Sequence, residues 1–103
     1  MDNVVPLRRH PEPELLWREA VGMQLRAERH RRGERIADVA GRAGVSPQYL
    51  SEVERGRKDA SSEVLAALAG ALGLQVLDLT RRSTTYLGVR ADGALRGPLC
   101  MAA

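Results

Sequence analysis

From residue 46 the chain reads Ser-Pro-Gln-Tyr-Leu-Ser-Glu-Val-Glu-Arg-Gly-Arg-Lys, and its polar members recur at helical intervals. At 100° per residue, Leu50 and Val53 share one side of a helix, with Glu54 beside them. Gln48, Glu52 and Arg55 then fall on the opposite side, flanked by Tyr49 and Ser51. These residue types carry base-edge chemistry. Glutamine bonds adenine at N6 and N7, arginine forks onto guanine, and glutamate accepts from cytosine N4. Arg57 and Lys58, just past Gly56, are placed to neutralise phosphates beside such a contact. An ordinary solvated helix face would be equally polar, so the reading depends on what positions the helix.

The preceding stretch supplies that. Residues 36–43, IADVAGRA, predict a short helix with Ile36, Val39, Ala40 and Ala43 facing inward. Ala40 is small where the crossing helix comes near. Gly44 ends this helix with a positive φ, and Val45 plugs the corner. Ser46 caps the next helix, and Pro47 sits at its first position, where no N–H is needed. These local choices agree on one tight turn between two helices, a helix-turn-helix whose free face suits the major groove of DNA. Ser46 and Arg35, near the two helix starts, are further candidates for phosphate contact.

Around this pair the pattern predicts three more helices and no sheet. Helix 1 runs from about Glu14 to Arg32 and stops at Gly33, with Trp17, Val21 and Leu25 entering the core. Arg29 continues that apolar row. A cation there needs a partner, because an unpaired buried charge is expensive, and Glu54 is the candidate. Arg26, Arg31, Arg32 and Arg35 form a basic end. Ser61 or Ser62 caps helix 4, about Ser62 to Leu72, which closes the core through Leu65, Leu68, Ala69 and Leu72 before Gly73. A short helix 5, Leu74 to Arg82, adds Val76, Leu77 and Leu79. These apolar residues exceed what four small helices need, so part of this surface is expected to meet a second subunit.

Outside residues 14–82 the signals weaken. Pro6, Pro11 and Pro13, with Arg8, Arg9 and His10, predict a flexible arm over residues 1–13. Residues 83–103 are expected to be a flexible tail, with a weak hairpin around Asp92-Gly93 as the alternative. The final Ala102-Ala103 resembles the end of tags recognised by bacterial ATP-dependent proteases, which suggests control by turnover.

A length of 103 residues bounds the chain to one domain with a modest core. Sixteen Lys plus Arg against 13 Asp plus Glu leave a charge of +3, which suits a polyanionic partner. Lys58 is the sole lysine. One cysteine makes no internal disulfide, and no C-x-x-C offers a zinc site. No apolar run reaches membrane-spanning length and no secretory signal opens the chain, so a reducing cytoplasm, on the nucleoid, is expected.

Leu25-Arg26, Arg29, Gly33, Ala40, Gly44-Val45-Ser46, Leu50-Ser51 and Glu54-Arg55-Gly56-Arg57 together resemble the Cro/cI (XRE-type) helix-turn-helix family over about residues 16–80. The resemblance implies an all-α, compact five-helix, lambda-repressor-like domain that binds operator DNA as a symmetric homodimer. It also implies an internal ion pair, which maps here to Arg29 and Glu54. The stretch YLSEVERGRKDASSEVLAAL looks especially like actinobacterial regulators of Clp protease genes. Two departures stand out. The family commonly places a capping Thr and a phosphate-clamping Gln where this chain has Arg35 and Ile36, and Pro47 removes a side chain that often reads a base. Base readout should therefore lean on Gln48, Ser51 and Glu52.

Two rival functions are weighed against this one. An enzyme is disfavoured: Gly44-Val45-Ser46-Pro47-Gln48 lacks the last glycine of a nucleophile elbow and no strand precedes it. His10 and His30 have no carboxylate to orient them, and no metal or cofactor motif is present. A protein-interaction module or antitoxin that keeps the fold is the other alternative, and the cations at 42, 55, 57 and 58 argue against it.

Overall fold

The computed structural model describes the backbone of residues 16–102 and the side chains of residues 16–89. The expected arm at residues 1–13 lies outside the described residues. Five helices follow in order: α1 (Trp17–Arg31), α2 (Ile36–Ala43), α3 (Pro47–Glu54), α4 (Ser62–Ala71) and α5 (Val76–Ala102). There is no strand among the described residues. α1 packs against α3 and α5, and α2 packs against α3 and α4.

The core is aliphatic. Val21 and Leu25 of α1, Val39 and Ala40 of α2, Leu50 and Val53 of α3, Leu68, Ala69 and Leu72, and Leu79 of α5 are buried together. Ile36, Ala43, Val45 and Leu65 pack against its margin. With no phenylalanine in the chain, closeness of backbones substitutes for bulk. Gly22, in the middle of α1, is where this closeness is greatest. A Cβ there would lie 2.3 Å from the Val53 carbonyl oxygen and 2.6 Å from that of Glu54. Only a glycine lets α1 and α3 cross at this distance.

Two expectations are corrected. Trp17 does not enter the core: it is 43% exposed, because the neighbour over the first turn of α1 is the Gly56 corner, which meets Arg18 and Glu19 instead. The second correction concerns residues 83–102, which form neither a tail nor a hairpin; Ala103 lies outside the described residues. α5 continues in one piece from Val76 to Ala102. Leu79 and Ser83 are both buried and seat its first turns, so the costly nucleus is already formed. Propagation then adds one local bond per residue, whereas an isolated two-stranded hairpin is marginal at best. Of the apolar residues that open α5, Leu79 reaches the core while Val76 and Leu77 are exposed.

A buried carboxylate fastens α5 to α1. Glu28 is 3% exposed and accepts hydrogen bonds from Arg31 and, at 2.9 Å, from Arg82 of α5. Arg31 first, and Arg82 with it, hold the Glu28 carboxyl at about 2, against the opposing effect of burial.

Candidate nucleic-acid interface

The corner between α2 and α3 is made by local bonds. Gly44 adopts φ 75° and ψ 28°, and the Val45 N–H donates to the Ala40 carbonyl at 3.0 Å, so the chain reverses within two residues. The Ser46 hydroxyl oxygen accepts from the Tyr49 N–H at 3.0 Å, and Pro47 begins α3. A serine capping in this way keeps its own O–H free to donate outward.

α3 is held from behind at both ends of its inner face. Leu50 and Val53 are buried, and Glu54 beside them accepts two hydrogen bonds from Arg29, at 2.8 and 3.0 Å. Just past the helix, the Arg57 N–H donates to the Glu52 carbonyl at 3.0 Å and Gly56 takes φ 75°. A Cβ on Gly56 would lie 2.8 Å from the Glu19 Cα, and Arg18 donates to the Gly56 carbonyl at 2.8 Å. This corner is thus also pressed against α1.

The outer residues differ in how they are engaged. Gln48 and Arg55 are exposed, while Tyr49, Ser51 and Glu52 are half-buried. Tyr49 leans on the edge of the core. Glu52 is ion-paired with Lys58 at 3.4 Å, and the Lys58 ammonium stands 5.9 Å from the centre of the Tyr49 ring. Arg55 and Arg57 make no ion pair among the described residues. Two free guanidinium groups at the end of α3 leave positive potential uncompensated on that side.

Arg35 is differently placed. It precedes α2 and its guanidinium bonds Asp38 at 3.1 Å, while the Asp38 carboxylate also accepts from the Arg35 N–H. That pairing lowers the Asp38 carboxyl below the usual range. Arg35 remains largely exposed, so its outer N–H groups face solvent. Arg42 is turned away from α3: it donates to the Ala71 carbonyl at the end of α4 and to Glu34 at 2.7 Å. It therefore closes α2 onto α4, which removes it from the group of cations beside α3.

Sequence reasoning missed Gly22, Arg18 and Glu28. A glycine inside an otherwise good helix pattern flags the first, but not what opposes it. Arg18 and Glu28 meet Gly56 and Arg82, 38 and 54 residues away, and no local pattern marks those long-range partners.

Comparison with known proteins agrees with this geometry. The family described as Helix-turn-helix domain matches residues 20–82. The transcriptional regulator ClgR of Mycobacterium tuberculosis is 51% identical over 59 residues, covering 57% of this chain and 53% of the regulator. The HTH-type transcriptional regulator DdrOP3 of Deinococcus deserti is 43% identical over 72 residues, covering 70% of this chain and 55% of that protein. The chain thus spans about half the length of these curated relatives. The crystal structure of the clp gene regulator ClgR from Corynebacterium glutamicum superposes with a TM-score of 0.73 at 44% identity, covering 77% of this chain and 84% of that one. A corner closed at Gly44, a short α3 seated on α1 and these likenesses lead to one conclusion: the chain belongs to the Cro/cI (XRE-type) helix-turn-helix family.

Proposed function

We propose that this chain is a sequence-specific regulator of transcription that places α3 in the major groove of double-stranded DNA. The observation that carries the reading is the seating of α3. Its inner face is fixed by Leu50, Val53 and the Arg29–Glu54 pair, while Gln48 and Arg55 stand exposed, with no side-chain partner among the described residues. Gln48, Tyr49, Ser51, Glu52 and Arg55 are assigned to base readout, and Arg35, Ser46, Arg57 and Lys58 to the phosphates.

The regulator acts as a homodimer on an inverted repeat, its two copies of α3 about 34 Å apart, one turn of DNA. The first half of α5 offers a surface for a second copy. Thr85, Tyr86 and Val89, with Arg81 and Arg82, line an open hollow of about 440 Å³, and Val89 is 63% exposed. Control of Clp protease genes is the regulatory role suggested by similarity to two ClgR proteins. Selection from a random duplex pool tests binding, symmetry and spacing together. Enrichment of an inverted repeat is expected, with affinity falling by about 0.9 log units per log of salt for each phosphate neutralised. A pool that enriches nothing refutes the reading.

A further inference from the structure

Glu52 stands where a base contact is wanted, yet a carboxylate is an awkward group to bring toward a polyanion. At close range its repulsion from phosphates would offset whatever it gained from a cytosine amine. Glu52 does not stand alone, however. Gly56 and the Arg57-to-Glu52 backbone bond turn the chain back on α3, and the return carries Lys58 to the outer side of the helix. There the Lys58 ammonium meets Glu52 Oε1 at 3.4 Å and lies over the Tyr49 ring at 5.9 Å. The glutamate side chain is 29% exposed and the lysine 51%, so the carboxylate is the more enclosed of the two.

We propose that Lys58 is a positioning residue for base readout and not only a phosphate contact. Its ammonium neutralises Glu52 and holds the carboxylate toward the base edge, with Tyr49 as the floor on which it rests. An ammonium has three N–H donors, so one can serve Glu52 while another reaches a phosphate. Docking on the backbone and reading of the base are then joined in one side chain. The inference rests on the reading that α3 enters the groove. It differs from a plain phosphate role in one respect: removing Lys58 changes which base is preferred, as well as how tightly DNA is held.

The test uses four full-length proteins: the wild type, Glu52→Gln, Lys58→Met and the double variant. Each is passed through the same random duplex selection and titrated on the resulting operators. Methionine keeps an apolar stem beside Tyr49 and removes the ammonium, its charge and its N–H donors together. Lys58 is exposed and Glu52 half-buried, neither in the core, and unchanged melting midpoints establish that all four are folded. Glu52→Gln identifies the base position that depends on the carboxylate. Lys58→Met is expected to shift preference at that same position by roughly fivefold or more. In the Glu52→Gln background, Lys58→Met should weaken every base at that position by one common factor. The proposal is overturned if Lys58→Met weakens all bases equally with Glu52 present, or if Glu52→Gln alters no preference. Failure of the wild type to bind any duplex would remove the groove reading itself, which is a separate and recognisable result.

Discussion

Arg29 of α1 and Glu54 at the last turn of α3 meet in a two-bonded fork, at 2.8 and 3.0 Å, with 11% and 5% of their side chains exposed. The same guanidinium reaches the Glu34 carbonyl at 3.0 Å, so one arginine ties the end of α3 to the turn that follows α1. The pair lies directly behind the face assigned to DNA. It sets where that face stands without belonging to it.

Removing one partner leaves the other charged and enclosed. Glu54→Ala is expected to cost about 3–5 kcal/mol of stability. Thermal melting without DNA would show it, as a fall of roughly 15 °C or more for a domain of this size. Replacing both residues together with apolar side chains, Arg29→Met and Glu54→Leu, should recover much of the loss, since no orphaned charge then remains. An unchanged midpoint in Glu54→Ala would mean the pair is dispensable.

Gly22 and Gly41 are both helical glycines and should respond to alanine in opposite directions. At Gly22 the new Cβ would meet carbonyl oxygens of Val53 and Glu54, which are backbone and cannot swing aside. Gly22→Ala must therefore push α3 off α1, costing about 1–3 kcal/mol or more. Nothing lies within 4 Å of a Cβ at Gly41. Gly41→Ala should instead raise stability by about 0.5–1 kcal/mol, because the unfolded chain loses freedom. Denaturant midpoints of the two variants against the parent decide both signs.

The contrast between these glycines marks what is legible in the sequence. The corner at Gly44 can be read because Val45, Ser46 and Pro47 each carry a local signal for the same turn. The close crossing at Gly22 depends on what opposes it across the bundle, and spacing along one helix does not encode that. Trp17 misleads for the same reason: it keeps the period of Val21 and Leu25, but the core stops short of it. Beyond Ser83 the glycines read as breakers. Gly88 nonetheless lies within α5, where the seating of Leu79 and Ser83 outweighs local preference.

Acid should weaken the hold of α1 on α5. The Glu28 carboxyl is held at about 2 in the folded chain, below its ordinary value of 4.5. A depressed carboxyl contributes stability that is complete above the ordinary value and is lost as pH falls toward the folded one. Glu28→Gln should therefore be less stable than the parent at pH 7, by about 2–3 kcal/mol. The two stability curves should converge between pH 4.5 and about 2. A constant gap down to pH 2 would place the stabilisation elsewhere.

The exposed residues of α3 and the loop after it should separate when tested on DNA. Gln48 is at the start of α3, exposed and without a side-chain hydrogen bond among the described residues, and its amide can satisfy both adenine groups only at the matching base. Gln48→Ala should lower affinity for the selected operator by about 1–3 kcal/mol while leaving other sequences nearly unaffected, so discrimination narrows at one position. Arg57 lies past the corner at Gly56, exposed and without an ion pair among the described residues, and is assigned to the phosphates. Arg57→Ala should weaken selected and unrelated duplexes by a common factor and reduce the salt slope by about 0.9. Titrations of both variants on the selected operator and on a scrambled duplex, each at two salt concentrations, measure all four quantities. If Gln48→Ala weakens the scrambled duplex as much as the operator, α3 reads no base through that residue, and readout must rest on Tyr49, Ser51, Glu52 and Arg55.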